Sequence, residues 1–189
     1  MGATSTRLTA WSTSRGLLVL GDLIINGSVN IITNQVSSDL QEDGHARICL
    51  SSIHGDVDIN GEIVVNAHLK NSSNAAIHIN AGANVTVNLR PEQQIDATSR
   101  TSKSGPAEAS VLIHAGKNME GQGNISIIGD KNIIKVYAKA GGGTGTVSLH
   151  SNDDPVYLDQ IDGYAHAVLE IDENYIEECP DCPTPPDLP

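Results

Sequence analysis

The twelve residues "GDLIINGSVNII" that begin at Gly21 return at Gly55 as "GDVDINGEIVVN", 34 positions later. Both copies hold Gly-Asp, then Ile-Asn-Gly, then an apolar alternation. A second pair, "IHINAGANVTV" and "LIHAGKNMEGQGNISI", shares an apolar-His element followed by Ala-Gly-x-Asn, with Gly82 and Gly116 again 34 apart. A fainter echo, "LHSND" at Leu149, follows Ile113 by 36. Self-similarity at such a spacing marks a repeat architecture. Each block holds several short runs, so it is either two turns of about 17 residues or one turn with loops.

The runs themselves are strands. "LLVLGDLIINGSVNIIT", "ARICLSSIHGDVDINGEIVVNAHL", "SVLIHAG" and "GTVSLHS" are short, β-branched and bounded by N-G, A-G, G-D or G-K turns. Helical periodicity is absent between Leu17 and Leu149. The composition agrees, with no Phe, one Trp, four Tyr and 18 Gly in 189 residues. A compact globule leans on aromatic side chains to fill its core, whereas a thin core of small and β-branched residues suits a solenoid. The expected fold is all-β, a right-handed parallel β-helix, with an antiparallel β-sandwich as the alternative. Asn26, Asn60, Asn80, Asn84 and Asn118 are candidates for hydrogen-bonded ladders at its turns. With two turns per block the shaft would hold eight or nine coils, about 40 Å at ~4.8 Å each.

Along the chain, residues 1–16 read as a lead-in and 17–151 as the repeat region. Residues 91–108, "PEQQIDATSRTSKSGPAE", are polar and bracketed by Pro, and read as a loop excursion from the shaft. With Arg90, Arg100 and Lys103 they form the expected contact loop. Residues 152–178 are acidic and carry three of the four Tyr, as a cap or a donated strand; 179–189 is a Pro-rich tail. The run "GLLVL" near the start is too short for a signal-peptide core, so the chain reads as a fragment or as one without its signal.

The net charge of −12 argues against nucleic acid and anionic membrane as partners, and nothing approaches the roughly 18 apolar residues of a membrane span. Asp56, Asp58 and Asn60 precede Gly61 at the spacing that opens an EF-hand-type calcium loop. However, the twelfth position is Ala67, where a bidentate Glu belongs, and the sister copy has Ile24 as its middle residue. Alternating in-out patterning on a strand before an Asn-Gly turn accounts for the same residues. His54, His78, His114 and His150 each follow Ile or Leu, and a stacked column of them is a candidate transition-metal site; surface positions on strands are the plainer reading. Cys179 and Cys182 in "ECPDCP" suggest a small terminal disulfide loop, while Cys49 stands alone in an apolar stretch. Asp153, Asp154, Asp159 and Asp162 cluster as paired carboxylates do in glycoside hydrolases, and as solvated loops do more often.

The Gly-Asn-punctuated strands of "GNISIIGDKNIIKVYAKAGGGTGTVSLHS" resemble the repeats of filamentous-haemagglutinin-type exoproteins, the β-helical adhesins of bacterial two-partner secretion. The resemblance covers about Leu17 to Ser151. It implies a secreted or surface-held shaft presenting contacts on its loops, and some members are similar in ending with a cysteine pair, as Cys179 and Cys182 would be. The expectation is therefore an extracellular structural and adhesive module without enzymatic activity or cofactor, with calcium as a possible ion. Its partner would be a glycan, a receptor on a host or neighbouring cell, or further copies of itself. The alternative is a carbohydrate-active β-helix, a lyase or hydrolase.

Overall fold

A computed structural model describes residues 13–34, 43–101, 105–116, 123–128, 134–139, 144–151, 161–164 and 167–170. They form fifteen strands, three to a turn through the first four turns. The first turn is β1 (Thr13–Val19), β2 (Leu23–Ile25) and β3 (Val29–Asn34). The second is β4 (Asp43–Ser52), β5 (Val57–Ile59) and β6 (Ile63–Leu69). Next come β7 (Ser72–Asn80), β8 (Val85–Asn88) and β9 (Ile95–Thr101), then β10 (Ala107–Ala115), β11 (Ile125–Ile128) and β12 (Ile134–Lys139). The series ends in β13 (Thr144–Ser151), β14 (Ile161–Tyr164) and β15 (Ala167–Glu170).

Corresponding strands of successive turns pair in parallel. Sheet A runs β1-β4-β7-β10-β13-β15, sheet B β2-β5-β8-β11, and sheet C β3-β6-β9-β12-β14. This is a parallel β-helix of three sheets. Every described pairing is parallel, which removes the antiparallel sandwich.

The repeat is one coil, not two. Leu23 pairs with Val57 after 34 residues, Val57 with Val85 after 28, and Val85 with Ile125 after 40. The strands keep their register while the corners absorb the difference. Six strands in sheet A make five spacings of about 4.8 Å, so the described stack is about 25 Å long rather than about 40 Å. The "excursion" at 91–108 is also not one loop: Ile95–Thr101 is β9, paired on both sides, and β10 starts at Ala107. Asp96, Thr98 and Arg100 are the outward half of a strand whose inward half is Ile95, Ala97 and Ser99. β1 already includes Thr13, ahead of Leu17, and strands β14 and β15 lie within the acidic 152–178 segment.

The core explains the absence of Phe. Inward side chains stack in columns, one layer per coil. Leu17, Leu50, Ile79, Ile113 and Leu149 share one register on sheet A; Val29, Ile63, Ile95 and Ile134 share one on sheet C. Layers so close together suit aliphatic side chains that each fill one layer. Each fully buried Ile, Leu or Val contributes about 1.5–3 kcal/mol relative to exposure. Where the end of sheet C meets the start of sheet A the columns turn small: Thr33, Ala67, Ser99 and Ala138 on one side, Ala46, Ala75 and Ala109 on the other. There the polar atoms pair internally. The Ser99 hydroxyl donates to the Ser73 carbonyl at 2.8 Å, and the Ser73 hydroxyl to the Ala67 carbonyl at 3.0 Å.

The repeated corner motifs have separate jobs. A Cβ on Gly61 would collide with the Gly27 carbonyl, so this Asn-Gly corner sits against that of the neighbouring coil only because Gly61 carries no side chain. At the Gly-Asp corner the side chains hold the coils together. Asp22 Oδ1 accepts the Asp56 N–H at 3.1 Å. Asp56 Oδ1 accepts the Asn84 N–H and Asn84 Nδ2, each at 2.9 Å. Asn84 Oδ1 accepts the Asn124 N–H at 3.1 Å. Each coil thus satisfies a corner amide of the next.

Candidate functional site

The Gly-Asp ladder bears directly on the calcium expectation. Asp56 stands in the ladder, Asp58 faces outward from β5 between Val57 and Ile59, and Asn60 donates to Asn26 Oδ1 at 3.1 Å. The alternation of Asp56, Asp58 and Asn60 is strand patterning that leads into a corner. Among the described residues, no three His, Cys, Asp or Glu side chains are gathered as a metal site would need. Of the other ladder candidates, Asn26 and Asn84 stack as expected, Asn80 lies on sheet A with its Nδ2 3.5 Å from Ser51 Oγ, and Asn118 is outside the described residues.

The expected contact loop divides. Arg90 is exposed at a tight turn in which the Gln93 N–H donates to the Arg90 carbonyl at 3.1 Å and the Arg90 N–H to Gln93 Oε1 at 3.0 Å. Glu92 sits at φ 71° in that turn, a backbone conformation more usual for Gly or Asn. Arg100 lies at the far end of β9, beyond a strand span of about 17 Å, and Lys103 is outside the described residues. Arg90 and Arg100 do not converge.

Instead Arg100 belongs to the outer face of sheet C. Its guanidinium carbon is 5.1 Å from the centre of the Tyr137 ring, a cation–π geometry. Beside it Lys135 Nζ is 3.0 Å from Asp96 Oδ2, and the Thr98 hydroxyl donates to Asp96 Oδ1 at 2.6 Å. The pleat places Asp96, Thr98 and Arg100 on one face of β9 and brings Lys135 and Tyr137 alongside from β12. Arg100 is in backbone register with His68 of β6 on one side and Lys139 of β12 on the other. On a chain of net charge −12 this is a local concentration of basic residues, held flat by the strands and built around an aromatic ring. Its signal in the sequence was the alternation "IDATSRT" against "IKVYAK", which reads as a surface patch only once the two strands are known to be neighbours.

The histidines are the larger surprise. His54 is exposed on a corner, but His78, His114 and His150 are buried at 4%, 8% and 4%. They project from the side of sheet A that faces away from the aliphatic columns. Cys49 is in register with His78 and Leu112, while Asn80, His114 and His150 form the adjacent row, with the His114 and His150 rings 5.7 Å apart. Cys49 is 3% exposed and disulfide-bonded. Surface placement was the expectation for these histidines, and burial of an outward face overturns it. The available hint was that "ICLS", "AAIHIN" and "SVLIHA" put Cys, Ala, His and Leu among their outward positions and no charged residue.

Cys179, Cys182, Asp153, Asp154 and Asp159 lie outside the described residues, and Asp162 falls in β14. No helix is long and apolar enough to cross a membrane among the described residues. No protein-family model matches the chain, and neither the curated proteins nor the solved structures include a significant match.

Proposed function

We propose that the chain is a structural and adhesive module of a secreted or cell-surface protein, a β-helical shaft whose outer face on sheet C makes the contact. The observation that carries this is the Arg100–Tyr137 pair in its row of basic residues. A guanidinium fixed over a ring presents paired donors suited to a carboxylate or sulfate, and the ring edge offers an apolar platform beside them. The ligand class is a glycan bearing acidic groups, on a host or neighbouring cell. The disulfide at Cys49 supports an oxidising compartment, in keeping with the resemblance to haemagglutinin-type exoprotein repeats. The interior of the stack is filled by aliphatic columns, so recognition falls to the outside.

A glycan array probed with the purified chain tests the reading. Binding to acidic glycans is expected to weaken about tenfold or more in Arg100→Ala and Tyr137→Ala, a loss of ~1.4 kcal/mol, with the melting temperature little changed because both positions are on the surface. Binding unaltered by either substitution would overturn it.

A second reading, self-assembly, rests on a different observation. β1, β2 and β3 each stand at the edge of their sheet, and Leu17, Leu20 and Ile24 are exposed there. An unpaired edge with apolar side chains is a template for another coil, from a longer chain or from a second copy.

A further inference from the structure

Lys135 and Arg100 stand on one face of sheet C in different electrostatic circumstances. Lys135 Nζ lies 3.0 Å from Asp96 Oδ2, and the Thr98 hydroxyl donates to the other oxygen of that carboxylate at 2.6 Å. Thr98 is buried, and the Lys135 and Asp96 side chains are only 30% and 16% exposed. Both carboxylate oxygens are therefore engaged, and the pair is partly shielded from water, unlike an ion pair between two exposed side chains. Arg100 is exposed, rests over the Tyr137 ring and has no carboxylate partner among the described residues. Four residues of β9 separate Asp96 from Arg100, about 13 Å along the strand. That exceeds the Debye length of ~8 Å at physiological salt, so the two cations act independently.

We propose that Asp96 is a specificity-determining residue of this face. By neutralising Lys135 it restricts the face to glycans that present one acidic group at Arg100, and it turns away polysulfated chains. The inference rests on the glycan-binding reading above and narrows its ligand class. A polysulfated chain gains affinity by neutralising several cations at once and releasing the counterions that each had held. On this face its second anion meets an ammonium already matched by a carboxylate. Binding there means separating the Asp96–Lys135 pair or setting two anions side by side, and such repulsion is how a surface discriminates between close competitors. A single carboxylate or sulfate ester flanked by neutral sugars needs only the guanidinium fork, with the Tyr137 ring available to the apolar side of a sugar. Thr98 has a positioning role, since its hydroxyl holds the Asp96 carboxylate beside Lys135.

The test is isothermal titration of the full chain with two probes of equal length. One is a neutral oligosaccharide ending in a single uronic acid, the other a heparin oligosaccharide. The wild type should bind the first about tenfold tighter, with weak salt dependence because only one ionic contact forms. Asp96→Asn keeps an oxygen for Thr98 and releases Lys135. Its affinity for heparin should rise about tenfold while uronic-acid binding stays within about twofold. Adding Lys135→Met to Asp96→Asn restores a neutral row and should return the wild-type preference, which ties the gain to the ammonium.

Heparin preferred by the wild type, or no gain for heparin in Asp96→Asn, would overturn the inference alone, provided that Arg100→Ala still weakens binding. Failure of both probes to bind, or binding indifferent to Arg100→Ala, would remove the glycan reading and this inference together. The wild-type comparison needs no variant, so it decides even if Asp96→Asn misfolds.

Discussion

Thr33 is wholly buried at the narrow corner of the core, in the column it shares with Ala67 and Ser99, and its hydroxyl oxygen has no hydrogen-bond partner among the described residues. Ser99 in the same column meets its need by donating to Ser73. A buried hydroxyl without a partner costs about 1–3 kcal/mol. Replacing it by a methyl group of the same shape keeps the packing and removes that cost. Thr33→Val is therefore expected to raise stability by about 1 kcal/mol, measured as a higher denaturation midpoint at unchanged slope. A lower midpoint would mean that the hydroxyl does find a partner. Nothing in "NIITN" marks this threonine: its burial is legible from the alternation, but its missing partner depends on a neighbouring coil.

Between strands, the unit that holds the elements in register is the corner ladder from Asp22 through Asp56 and Asn84 to Asn124. Asp56 is its centre, since one carboxylate oxygen accepts both a backbone and a side-chain N–H from Asn84. Asp56→Ala removes that acceptor and leaves the corner amide of the next coil to be satisfied by water. A loss of about 1–2 kcal/mol is expected, with faster hydrogen exchange at the Asn84 amide as the local readout. Unchanged exchange there would show that the ladder is incidental. Asp56→Asn keeps an acceptor oxygen and should recover most of the loss. The Gly-Asp and Asn-Gly repeats were plain in the sequence as turns. That one serves as a hydrogen-bonded ladder and the other as a close backbone contact was not, because both roles are made by residues about one coil apart.

At the scale of the whole molecule, the decisive property is that a stack of coils has ends. The exposed β1–β2–β3 edge predicts association that grows with protein concentration, seen as rising sedimentation coefficients or as fibres in electron microscopy. Leu17→Lys combined with Ile24→Lys places charge at that edge, a device that natural sheets use against edge pairing, and should return the chain to short single rods. A wild-type chain that stays monomeric at every concentration would remove the self-assembly reading and leave glycan attachment standing.

The strand class, the repeat and the thin aliphatic core were determined by the sequence alone, because period-two alternation and turn residues act over a few positions and so are written locally. The length of a coil was not. Corners of different lengths give offsets of 28, 34 and 40 residues on sheet B, and only pairing between strands shows that each block closes one turn. The same holds for function. Arg100 meets Tyr137, and His114 meets His150, across 37 and 36 residues of sequence, a proximity created by strand register. Alternation determines which residues point away from the core. Whether such a face meets water or another segment is decided only when the whole chain has folded.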